Sequence, residues 1–181
     1  MLVTTAKIKS LNPCASRLRL YLKHHAEFSG TMTQFLNLPN LTHRDKRWVY
    51  FRMVPREILP KVAADIAESV LHIFEAAHPK NKRPRLAIEA ARSGVSYNSC
   101  MDAAYVASAC ARATSHNSAY AAAHAAFTSA ATSHKSATSY AASCASAAAL
   151  SHHTSSAKDK QAYEALQIKI MKRHLKKKVK K

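Results

Sequence analysis

Apolar positions recur at helical spacing most clearly in one segment of the chain. Val62, Ile66, Val70, Ile73 and Phe74, with Leu71 alongside, fall three or four residues apart, while Asp65, Glu68 and Glu75 take other faces. That stripe predicts an amphipathic helix over residues 60–77, stopped by His78-Pro79. Lys80-Asn81-Lys82-Arg83 reads as a linker, and Pro84 suits the first turn of a second helix carrying Leu86, Ile88, Ala90 and Ala91 as far as Gly94. A closing helix is predicted from Ser155 or Ser156 to about Leu175, with Tyr163, Leu166 and Ile170 as its stripe and Met171 and Leu175 beside it.

The pattern is less regular toward the N-terminus. Asn12 and Pro13 read as an N-cap and first-turn pair for a helix through Leu18, Leu20, Tyr21 and Leu22, ended near Gly30. Phe35, Leu36, Leu38 and Leu41 suit either a short helix or a packed loop around Pro39. From Arg44 to Val54, Trp48, Tyr50, Phe51 and Met53 alternate with Arg44, Lys46, Arg47 and Arg52. Such side chains suit a half-buried helix or strand, or a platform that stacks nucleic-acid bases.

Beyond Gly94 no strong helix breaker remains, and alanine, the best helix former, dominates. Thr114-Ser115-His116-Asn117-Ser118-Ala119 recurs as Thr132-Ser133-His134-Lys135-Ser136-Ala137, a register of 18 residues or about five helical turns. If each Ser-His segment is a turn, with Ser and Asn as caps, the chain folds back as antiparallel helices whose alanine surfaces pack closely. The expected fold is all-α, a compact antiparallel bundle of about six or seven helices. Residues 1–30 form an N-terminal helical extension, 31–175 the main helical domain with Ala-rich helices over 96–150, and 176–181 a disordered basic tail.

Composition changes this picture in one respect. The formal net charge is +18, yet between Met101 and Leu150 the charged residues are only Asp102, Arg112 and Lys135. The charge therefore belongs to the two ends and the proline turn. The apolar fraction of 48 % is large enough for a core. No apolar run approaches a membrane span, no secretory leader precedes Lys7 and Lys9, and Cys14, Cys100, Cys110 and Cys144 lack dense pairing; a reduced cytoplasmic protein is expected.

The chain lacks a glycine-rich phosphate loop, an H-E-x-x-H pair and a G-x-S-x-G elbow, and its 10 carboxylates are dispersed, so no catalytic residues are assigned and no enzyme is expected. The 11 histidines read as caps and solvated groups. His116, His124 and His134 with Cys110 or Cys144 would hold zinc only in one particular helix register, so neither a metal nor a cofactor is assigned. Lys172, Arg173, Lys176, Lys177, Lys178, Lys180 and Lys181 form a basic end suited to nucleic-acid phosphates or an anionic surface.

The run Val62-Ala-Ala-Asp-Ile-Ala-Glu-Ser-Val-Leu-His-Ile-Phe-Glu75, then Pro79, then Lys82-Arg-Pro-Arg-Leu-Ala-Ile-Glu-Ala-Ala-Arg92, followed by an Ala-rich helical region, resembles the immunity-5-like family of immunity proteins. That family is associated with bacterial polymorphic toxin systems and also occurs in phage genomes. The resemblance implies an all-helical protein that binds and neutralises a protein toxin by steric occlusion, without chemistry of its own. Glu75, Arg83, Arg85, Glu89 and Arg92 lie around the proline turn, as an inter-helix brace or as the toxin-binding patch; Glu89 and Arg92 have the spacing of an intrahelical pair. A net charge of +18 departs from the acidic character expected of an inhibitor of a basic nuclease. Two other readings remain: a basic nucleic-acid-binding protein, and a helical structural or virion-associated phage component.

Overall fold

The computed structural model describes residues 1–93 and 157–176, with side chains of the last helix described from residue 161. The Ala-rich helices over 96–150, the Ser-His repeats, the histidine and cysteine candidates within them and Lys177, Lys178, Lys180 and Lys181 lie outside the described residues.

The described chain is mostly helical, with one small sheet. Strand β1 (Leu2–Thr4) is followed by α1 (Thr5–Ser10), α2 (Ala15–His25), strand β2 (Ser29–Thr31), α3 (Met32–Asn37), α4 (His43–Met53), a 3-10 turn (Arg56–Ile58), α5 (Leu59–Ala77), α6 (Arg83–Ser93) and α7 (Ala157–Lys176). The strands pair antiparallel, with Leu2 opposite Thr31, Val3 opposite Gly30 and Thr4 opposite Ser29. A Cβ at Gly30 would crowd Gln34 Oε1 at 2.9 Å and Phe28 Cζ at 3.0 Å, so a larger residue there would push those side chains aside.

Three threonines turn extended backbone into helix. The Thr4 hydroxyl accepts from the Lys7 backbone N–H, Thr31 forms a reciprocal capping box with Gln34, and Thr42 accepts from the Asp45 N–H. Each satisfies an N–H that the first helical turn leaves without a partner. Asn12 is not a cap. It has φ 53, in the left-handed region, and turns the chain between α1 and α2, so α2 starts three residues after it, with Cys14 as its N-cap. That helix also ends at His25 rather than near Gly30, because Gly30 belongs to β2.

The segment from Arg44 to Val54 is helical, and the segment around Phe35 is the short helix rather than a loop. Helix α5 matches its expected span within a residue, with Pro60 in its first turn, and buries Val62, Ile66, Val70, Leu71, Ile73 and Phe74. The same hydrophobic core takes in residues from along the chain: Val3, Tyr21, Phe35, Tyr50 and Phe51 from the N-terminal half, Ile88 from α6, and Ile168, Ile170 and Met171 from α7. Among the described residues no helix is long and apolar enough to cross a membrane.

Candidate functional site

The charged residues of the proline turn are held by the local fold. α5 ends as the His78 N–H donates to the Phe74 carbonyl, and the Asn81 N–H donates back to the His78 carbonyl at 3.0 Å. The Asn81 side-chain oxygen then accepts from the Arg83 N–H at 3.3 Å, opening α6. This turn faces Arg85 toward Glu75. The guanidinium donates through Nε at 2.8 Å and Nη2 at 2.6 Å to the two carboxylate oxygens, a bidentate fork. Those hydrogen bonds hold the Glu75 carboxyl below its usual range.

In the last turn of α6, Arg92 reaches back to α5. Its Nε and Nη2 donate to Asp65 Oδ1 at 3.0 and 2.7 Å, and its Nη1 donates to Glu68 Oε1 at 3.0 Å. Nη2 also pairs with the second Glu68 oxygen. Arg92 thus bridges helices instead of pairing with Glu89 along its own helix. Two carboxylates one turn apart on α5 offer its fork more acceptors than the single Glu89 can.

Asp65 is the centre of this arrangement. Its second oxygen accepts from His174 Nε2 at 2.8 Å and from Arg173, both on α7. Burial pushes the Asp65 carboxyl up, but hydrogen bonds from His174 and Arg92, together with their charges, outweigh it and hold the group well below the ordinary carboxylate range. An ionised carboxylate can only accept, so His174 Nε2 carries a hydrogen here. Only 13 % of the Asp65 side chain is exposed, so its three partners, Arg92, Arg173 and His174, replace most of the water it gives up.

A second set of polar contacts docks α7 on α4 and α5. Arg47, buried in α4, donates to the buried side-chain oxygen of Gln167. The Tyr50 hydroxyl donates to the Met171 carbonyl at 3.2 Å, and Ser69 and Tyr163 share a hydrogen bond of 2.9 Å. Burial lowers the pKa of Arg47 and raises those of Tyr50 and Tyr163.

The structure therefore divides the residues singled out from the sequence. Glu75, Arg85 and Arg92 belong to braces between α5 and α6, whereas Arg83 and Glu89 lie exposed on α6. Of the basic end, Arg173 is drawn to Asp65, Lys172 donates to the Asn37 side chain at 2.5 Å, and Lys176 is exposed. Asp65, Glu68, Gln167 and His174 were not singled out, although Asp65 and Glu68 share one face of α5, a signal of a paired acceptor. Among the described residues no three His, Cys, Asp or Glu side chains converge as metal ligands.

A small sheet, a helical core and a closing helix latched by charge define a mostly α-helical protein whose central ionised groups serve as structural clamps. A family model described as Imm-5 like putative immunity protein matches residues 51–177, and the chain belongs to that family. The match takes in α5, α6 and α7, the three helices that Asp65 ties together. No curated protein and no solved structure is detectably similar to the chain.

Proposed function

We propose that this chain is a non-catalytic immunity protein that neutralises a partner toxin by steric occlusion, using the exposed side of the α5–α6 turn. Family membership supports the immunity role. The surface is suggested by one observation: Leu86 is 56 % exposed, and Lys80, Lys82 and Arg83 line the same shallow depression. An apolar side chain ringed by cations suits an acidic toxin surface with an apolar contact at its centre. Arg85 and Arg92 serve this surface indirectly, because their braces to Glu75 and Asp65 set α6 on α5 before binding.

Co-expression with the toxin encoded beside the gene tests the reading. Protection of growth and a co-purifying complex are expected, and the double variant K82E/L86D should lose at least tenfold in affinity with an unchanged melting midpoint. Absence of both protection and complex overturns the proposal.

A nucleic-acid reading has one specific observation in its favour. Lys46, Lys169 and Lys172 line one groove between α4 and α7, and Lys46 has its pKa lowered by burial and by the neighbouring Lys172. Like charges held together attract phosphates. Retention on DNA that falls steeply with salt, and that is weakened by K169E/K172E as well as by removal of Lys176–Lys181, would favour this second reading.

A further inference from the structure

A cleft of about 360 Å³ lies between the α1–α2 turn and α4, away from the Asp65 clamp. Its floor is apolar and closed by the buried side chains of Tyr21, Phe35 and Val49. Leu18 and Trp48 line it as well, packed against the core but only partly buried. A concave apolar surface of this size matches the lower range of small-molecule sites.

The charged groups around it are mostly cationic. Arg17, Arg44 and Arg52 line the cleft together with a single carboxylate, Asp45. Asp45 is already engaged, accepting from the Thr42 hydroxyl at 2.6 Å and facing Arg17 at 3.5 Å. The Arg52 guanidinium sits 3.9 Å from the centre of the Trp48 ring and donates to the Trp48 carbonyl. Arg44 is exposed and has no carboxylate partner among the described residues. The cleft thus joins an apolar floor to an excess of guanidinium groups, whose forked donors match a carboxylate.

We infer that this cleft binds a small amphipathic carboxylate, with its hydrocarbon body against Leu18 and Trp48 and its carboxylate at Arg44 and Arg17. Burial of the hydrocarbon supplies affinity. The cationic rim selects the anion, since a ligand of the same length carrying an ammonium group meets three like charges. The inference is separate from toxin binding, because the cleft lies at α1, α2 and α4 and not at the α5–α6 turn.

Trp48 is the single tryptophan of the chain, so its fluorescence reports the cleft directly. The full chain is titrated with octanoate, octanol and octylammonium. Octanoate should shift Trp48 emission saturably, octanol at least tenfold more weakly, and octylammonium not at all over the same range. R17A/R44A should weaken octanoate at least tenfold and leave octanol unchanged. R44E alone, at an exposed position with no ion pair to lose among the described residues, should do the same if the double variant folds poorly. Equal responses to the three compounds, no saturable response to octanoate, or unchanged octanoate affinity in a folded variant would each overturn the inference.

Discussion

His174 on α7 donates its Nε2 hydrogen to Asp65 on α5 at 2.8 Å, across 109 residues of sequence. Asp65 accepts in the same place from Arg92 of α6 and Arg173 of α7. One carboxylate thus ties together the hairpin that the apolar stripe builds and the helix that closes the described chain. The tie is mostly out of water on both sides, since 7 % of His174 and 13 % of Asp65 side-chain surface is exposed.

Asp65→Asn keeps the shape of the side chain and removes its charge. Arg92, Arg173 and His174 then face a neutral amide. A loss of about 2–3 kcal/mol at neutral pH is expected, the range for breaking a mostly buried charged network from one side. Urea unfolding measures it, and a change below about 0.5 kcal/mol would contradict the clamp.

Stability should also fall in acid for a reason specific to Asp65. Its folded pKa lies below the unfolded carboxylate value of about 3.9. The associated stability is therefore fully present above that unfolded value and is lost as pH drops below it toward the folded one. Urea midpoints of the wild type and Asp65→Asn should converge as pH falls from 5 to 2.5. A constant gap over that range would mean that the charge of Asp65 contributes nothing.

The buried polar contacts of α7 should matter more than their number suggests. Gln167→Leu removes an acceptor from the buried Arg47, so a loss of about 2 kcal/mol is expected. Tyr163→Phe removes a hydroxyl that pairs with Ser69 and Gln167 but leaves the buried Arg47 its acceptor, with an expected loss of about 1 kcal/mol. Thermal or urea unfolding of the two variants tests the order, and Tyr163→Phe proving the costlier would reverse it.

The Glu75–Arg85 fork should contribute little despite its geometry. Arg85 keeps 41 % of its side-chain surface exposed. Glu75→Gln is expected to cost less than about 1 kcal/mol at low salt, and almost nothing near 1 M salt, where screening is strong. Melting midpoints across a salt series measure the effect, and a salt-independent loss would place the pair in a drier setting than its exposure indicates.

The sequence by itself determined the helices that carry a periodic apolar stripe. α5 starts and stops, and α6 starts, where residue pattern, proline and linker place them, because hydrophobic periodicity and helix termination are local properties. The family resemblance was legible in the same run, from Val62 to Arg92. The Thr31-x-x-Gln34 capping box was also present as a signal, but the weak apolar pattern around it left helix and loop open. Other features depended on which segments meet in space. Two strands of three residues have no usable periodicity, so Leu2–Thr4 and Ser29–Thr31 become a sheet only when α1 and α2 bring them side by side. Asn12 looked like a cap until its left-handed backbone turned the chain. Glu89 has the right spacing for Arg92, yet Arg92 takes Asp65 and Glu68, because helix packing presents two carboxylates together. A long charged side chain reaches several partners with similar local energy, and only the tertiary structure decides which of them lies within hydrogen-bond distance and out of water.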